Sequence, residues 1–188
     1  MGRIVVTEFI SLDGVVQAPA GEDFRYRDWT FEIDRGDEGE QFKTDEALGA
    51  EALLLGRVTY EGFAAAWPSY EGVLADKYNG MRKYVVSSTL TEPTWNNTQV
   101  ISGDVATEVA RLKAETDGEL QVVGSIKLAQ ELLEHDLVDE LHLMTFPFVL
   151  GTGRKLFGET TDRTRWRPTE SRTVGEGVLI TLFERDRA

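Results

Sequence analysis

Cysteine is absent from the 188 residues, which excludes disulfides and thiolate metal sites. That absence fits a reducing compartment. Histidine is nearly absent too. His135 and His142 are the only two, and no H-E-x-x-H pattern joins them. They are expected to serve as a helix C-terminal cation and a sheet-surface residue, not as metal ligands. No G-x-S-x-G occurs, so nothing points to a serine hydrolase. No run approaches the ~20 apolar residues of a membrane span. The opening "MGRIVVTEFISLDG" lacks the apolar core of a signal peptide, and a soluble cytoplasmic protein is expected. Positive charge is scarce: 20 Lys and Arg stand against 33 Asp and Glu, a net charge of -13. A body this acidic repels nucleic acid and anionic lipid, so neither is an expected partner. It also repels any phosphorylated ligand unless cations gather locally. The positions of the cations therefore matter more than their number.

What is present is a series of apolar strands, each followed by a helical pattern. "GRIVVTEFIS" (2–11) reads as a strand rich in Val and Ile. "ALLL" (52–55) is apolar without alternation, the pattern of a strand covered on both faces. "RKYVVSSTL" (82–90), "TQVIS" (98–102), "ELQVVGS" (119–125) and "DELHLMTFPFVL" (139–150) read as further strands. Helices are expected over 40–50, in "TYEGFAAA" up to Trp67-Pro68, in "VATEVARLKAET" after an Asp104 cap, and in "IKLAQELLEHD". "TESRTV-GEG-VLITLFER" reads as a closing hairpin. The order predicts one α/β domain over 1–188, with a mostly parallel mixed sheet and an antiparallel C-terminal hairpin. Residues 17–39 form a long irregular segment, a place where pockets are often shaped.

Three strand-to-helix junctions share a composition: "LLGRVT", "VVSSTL" and "VVGSIK". Each follows a buried strand with Gly or Ser. Ligands of open α/β sheets sit at such carboxyl ends, and helix N-termini favour anions. Gly56 allows close backbone approach, Arg57 suits a phosphate, and Thr59 offers a hydroxyl or a cap. Lys127 supplies a second cation. Asp13, in "SLDG", either contributes a carboxylate to a site or simply fixes the turn to Gly14. "GTGRKLFG" (151–158) has Leu156 where a dinucleotide fingerprint needs its third glycine, so that motif is absent.

Taken in order, "SLDGVV", "LLGRVTYEGF…WP", "KYVVSSTL" and the block from Leu120 to Phe157, with "LVDEL" and P-x-x-L-G-x-G-x-x-L-F, resemble the dihydrofolate-reductase-like superfamily. The closer match is to the reductase domain of bacterial riboflavin biosynthesis. The resemblance implies a three-layer fold with helices on both faces of the sheet. It implies NADPH as hydride donor and a small heterocyclic or ribosylaminopyrimidine-like substrate. It implies cofactor contacts from Gly56, Arg57, Val58 and Thr59, from Ser87, Ser88 and Thr89, and from Gly124, Ser125, Ile126 and Lys127. Asp13 would act on the substrate side, orienting substrate or relaying a proton. Phe42 and Trp67 would wall the pocket, with Gly151 and Gly153 nearby, and a homodimer is expected. Relatives carry Gly-Gly where this chain has Gly124-Ser125, so a side chain is expected to crowd the backbone there. The acid that polarises a pterin is not matched in "DWTFEIDRGDEGEQF", which argues against dihydrofolate as substrate. The H-x-E and P-C-x-x-C of a zinc deaminase partner are absent. The alternatives are a nucleotide- or small-molecule-binding protein of the same fold without turnover, and a structural relative that assembles through its hairpin.

Overall fold

The computed structural model describes residues 2–19, 23–160 and 162–187; part of the 17–39 segment, residues 20–22, lies outside them. Eight strands form one sheet: β1 (Arg3–Ser11), β2 (Ala52–Gly56), β3 (Arg82–Val86), β4 (Thr98–Ile101), β5 (Glu119–Val123), β6 (Glu140–Phe146), β7 (Arg165–Val174) and β8 (Val178–Asp186). Their spatial order is β4-β3-β2-β5-β1-β6-β8-β7. The first six run parallel, and β8 and β7 complete the sheet as an antiparallel hairpin.

Five helices connect the strands: α1 (Gly36–Gly49), α2 (Arg57–Ala66), α3 (Val73–Gly80), α4 (Val105–Glu115) and α5 (Ile126–Glu134). Strand alternation divides the core between two faces. Ile4, Val6, Leu54, Leu120 and Val122 point to one face, against Val109 and Leu112 of α4 and Ala129 and Leu132 of α5. Leu53, Leu55 and Val85 point to the other, against Ala47 of α1, Tyr60 of α2 and Tyr78 of α3. A third cluster, with Trp29, Phe42, Met144, Phe146 and Ile180, fills the space between α1 and the hairpin. The result is a three-layer α/β fold. Among the described residues no helix is long and apolar enough to cross a membrane.

Two strands end earlier than their apolar runs suggest. β3 stops at Val86 because the Ser87 hydroxyl accepts hydrogen bonds from the backbone N–H groups of Thr89 (3.1 Å) and Leu90 (3.0 Å), which turns the chain. β6 stops at Phe146 because Pro147 has no N–H for the ladder. Helix α3 was not legible in the sequence. It follows a 3-10 turn at Trp67–Ser69, and its N-cap, Gly72, has φ 105°, a backbone only glycine adopts easily.

Chain direction creates an opening in the sheet. The strand β2 leads into α2 on one face, while its neighbour β5 leads into α5 on the opposite face. Their connections diverge, which is the condition for a crevice at the strand ends. The pairing agrees: β2 and β5 are in register only at Ala52↔Leu120 and Leu53↔Gln121. Beyond those pairs the two strands separate toward their carboxyl ends.

Candidate functional site

At the separated ends, the side chain of Ser125 does the joining. Its hydroxyl accepts a hydrogen bond from the Gly56 N–H at 2.9 Å and donates to the Val123 carbonyl at 3.1 Å. Ser125 is almost wholly buried, with its hydroxyl turned back on the Gly56 and Val123 backbone. The residue that does need glycine is Gly124, with φ +60° and a Cβ position 3.4 Å from the Thr59 methyl. The Thr59 hydroxyl donates to the Gly124 carbonyl at 3.1 Å, tying the first turn of α2 to the β5 end. Thr59 therefore caps no helix; it links two junctions.

Above this stitching lies a groove of about 580 Å³. Gly56, Arg57, Val58 and Thr59 line it from the first junction, Ser87, Ser88 and Thr89 from the second, and Gly124, Ser125, Ile126 and Lys127 from the third. These three junctions, spanning 71 positions from Gly56 to Lys127, thus share one surface. The sequence reading missed Ser102 and Gly103, at the end of β4, and Glu131 and Arg154. Of these, "ISGD" had the same strand–Gly–helix signature and was recoverable. Arg154 was not, since it comes from a loop far along the chain. A larger depression of about 1150 Å³ lies at the opposite rim, lined by Arg82, Trp95 and Asn97 among others. It faces the amino ends of β3 and β4.

The groove's electrostatics come from two helix ends. Neither α2 nor α5 has a side-chain hydrogen bond at its N-cap. The first turns of both, one from each face of the sheet, therefore present unsatisfied N–H groups and partial positive charge to the same space. Arg57 adds a full charge and is held by Glu61, one turn on, at 2.9 Å. Lys127 makes no ion pair among the described residues. Helix α4 differs: Asp104 accepts from the Thr107 N–H at 2.9 Å and neutralises its end.

The residues expected on the substrate side do not share the groove. Asp13 accepts from the Ser11 hydroxyl at 2.7 Å and from the N–H groups of Leu150 (3.1 Å) and Gly151 (2.8 Å). The Ser11 bond foremost, then these backbone bonds, hold its pKa down at about 2. Asp13 braces the end of β1 against the chain after β6. Gly151 is the other half of that brace. Gly153 lies pressed against Val15 and Phe24, where a Cβ would sit 2.6 Å from a Val15 methyl. Phe42 is buried in the third core cluster, 6.3 Å from the His142 ring. Trp67 packs edge-on against Tyr78 at 4.6 Å, partly buried against the core cluster of α2 and α3. Phe42 is core, Trp67 flanks the core, and neither lines the groove.

His142 is also not where its sequence suggests. It lies mostly covered beneath α1, with Nδ1 2.7 Å from Glu46 and Nε2 3.1 Å from Glu140. Burial disfavours the charged ring, but hydrogen bonds to Glu140 and Glu46 outweigh it and raise the pKa to about 9. Glu46 also receives Lys43 Nζ at 2.6 Å and the Thr7 hydroxyl at 3.0 Å. Burial pushes the Glu46 carboxyl up, yet Lys43 and His142 together hold it below the usual range. Among the described residues no group of three or more acids and histidines is arranged to hold a metal ion.

The comparisons with known proteins agree with this architecture. The Bacillus subtilis protein YwjB, itself described as uncharacterized, is 27% identical over 171 residues, covering 91% of each chain. The crystal structure of a putative riboflavin biosynthesis protein from Shewanella sp. PV-4 superposes with a TM-score of 0.80 at 22% identity, covering 98% of this chain and 99% of that one. Dihydrofolate reductase from Enterococcus faecalis, solved with NADP(H), superposes with a TM-score of 0.61 at 13% identity, covering 98% and 96%. The family model for the RibD C-terminal domain matches residues 3–180, and the chain belongs to that family.

Proposed function

We propose that the protein is an NADPH-dependent reductase that transfers hydride to a small heterocyclic or ribosylaminopyrimidine-like substrate. The observation that carries this reading is the convergence of two uncapped helix N-termini, with Arg57 and Lys127, on one groove of a strongly acidic protein. A diphosphate is the ligand group that fits two such ends side by side. Ser87, Ser88 and Ser102 at the ends of β3 and β4 then surround the adenosine half, and the β1 side is left for the nicotinamide. Membership of the RibD C-terminal domain family supports the reductase class. NADPH would supply the hydride when bound. The chain's own residues bind and orient it.

One observation favours a second reading, a nucleotide-binding protein without turnover. Glu131 is the only carboxyl or imidazole among the described residues that line the groove, and Asp13 is held as an anion elsewhere. Calorimetry with NADPH and NADH separates ligand binding from its absence. Following nicotinamide absorbance over a panel of pyrimidines and pterins then separates the two readings. Tight NADPH binding with no oxidation across the panel supports the second, and no binding of either nucleotide removes both.

A further inference from the structure

Arg154 reaches the groove on a segment with no regular secondary structure, yet one built with care. Its backbone N–H donates to the Gln17 side-chain carbonyl at 3.0 Å, and its carbonyl accepts from the Val16 N–H at 3.0 Å. The Leu156 N–H donates to Gly14 at 3.0 Å, and Gln130 of α5 donates to the Lys155 carbonyl at 2.8 Å. Leu156 is fully buried, and Gly153 fits only because it has no side chain. Asp13 clamps the start of the same segment through Leu150 and Gly151. An arm fixed at this many points to β1's extension and to α5 sets where the Arg154 backbone meets the groove.

That place is informative. Sheet order puts β3, β2, β5 and β1 in a row. The groove follows the row, from Ser87 and Ser88 through Gly56 to Gly124, and Arg154 comes from the arm beside β1. The two helix ends stand between. Resting on the cofactor reading above, we propose that Arg154 contacts the nicotinamide-side phosphate of the bound dinucleotide. Arg57 and the Ser87–Ser88 turn serve the adenosine side. The groove then distinguishes a dinucleotide from its adenylate half by a residue 97 positions from Arg57 in the chain. Guanidinium suits the task because it donates to two phosphate oxygens at once.

The test is calorimetric titration of the full chain with NADPH and with adenosine 2′,5′-bisphosphate, which lacks the nicotinamide-side phosphate. Four proteins are compared: wild type, Arg154→Gln, Arg154→Lys and Lys155→Gln. Losing a charged hydrogen bond should weaken NADPH by roughly 10- to 100-fold in Arg154→Gln and leave the bisphosphate unchanged. Arg154→Lys should recover part of the loss. Lys155→Gln removes the same charge from the same arm and should alter neither ligand. The inference is overturned if Arg154→Gln matches Lys155→Gln, since only general attraction is then at work. An equal loss for both ligands also overturns it, because the groove as a whole has then been damaged. Wild-type protein that binds neither ligand rejects the cofactor reading itself, whereas normal NADPH binding by Arg154→Gln rejects the role of Arg154 alone.

Discussion

Two constellations of charge in this protein are built on opposite plans. Beneath α1, Lys43, Glu46, His142 and Glu140 form a closed set. Both ring nitrogens of His142 and both oxygens of Glu46 already have partners within the chain. At the strand ends, Arg57, Lys127 and two uncapped helix N-termini form an open set, with charge presented to a groove. The closed set bears on stability, and the open set is the one proposed to bind a ligand. The difference teaches that a charged residue's type says little about its role until its partners are known.

The largest effect is expected in the closed set. His142→Gln takes one cation from Glu46 and Glu140, which keep Lys43 and Arg3, and should cost about 3 kcal/mol, read from urea denaturation at neutral pH. The pH dependence sharpens the point. Folding raises the His142 pKa from 6.5 to about 9, so the ring's contribution is complete below about 6.5 and is lost as pH rises through about 9. The stability difference between wild type and variant should shrink by on the order of 3 kcal/mol across that window. A constant difference from pH 6 to pH 10 would show that the ring is not held as a cation.

Next comes the stitch between the two plans. Ser125→Ala removes the acceptor of the Gly56 N–H and should cost about 1–3 kcal/mol in thermal or denaturant unfolding. Asp13→Asn replaces an acceptor of three donors by an amide that must turn donors of its own toward them. About 1–2 kcal/mol of stability should go. NADPH affinity should fall with it, because the arm that carries Arg154 loosens. Unchanged affinity in a folded Asp13→Asn protein would separate the brace from the groove.

Smaller effects test the rim. Asp104→Ala uncaps α4 and should cost about 1 kcal/mol without loss of nucleotide affinity, since that helix end is neutralised and serves no phosphate. Arg57→Gln should change stability by less than about 0.5 kcal/mol, because its pair with Glu61 is solvent-exposed. Its effect should appear in NADPH titration instead. A stability loss larger than that of Asp104→Ala would place Arg57 with the closed set and break the contrast.

Much of this was legible in the chain itself. The junctions at Gly56, Ser87 and Gly124 could be read because a Gly or Ser after an apolar strand is a local signal. The hairpin could be read because β7 and β8 are joined by a glycine turn. Asp13, Phe42 and Trp67 were harder. Asp13's partners, Leu150 and Gly151, are remote in sequence, and an aromatic side chain fits a core and a pocket wall equally well by composition. His142 was misplaced at the surface because the sequence gives no sign that α1 packs over β6.

The sequence by itself determined the alternation of strands and helices, the buried character of β2, and the glycines, hydroxyls and cations at the strand ends. These follow from hydrophobic periodicity and turn chemistry, which act over a few residues. Only the tertiary structure decided that β5 returns to lie between β2 and β1, so that α2 and α5 open on one groove from opposite faces. It also decided that Ser125 turns inward, that His142 is enclosed, and that Arg154 arrives from the far side. The reason is physical: strand neighbours and ion partners tens of residues apart are selected by packing the whole chain, and no local pattern encodes that choice.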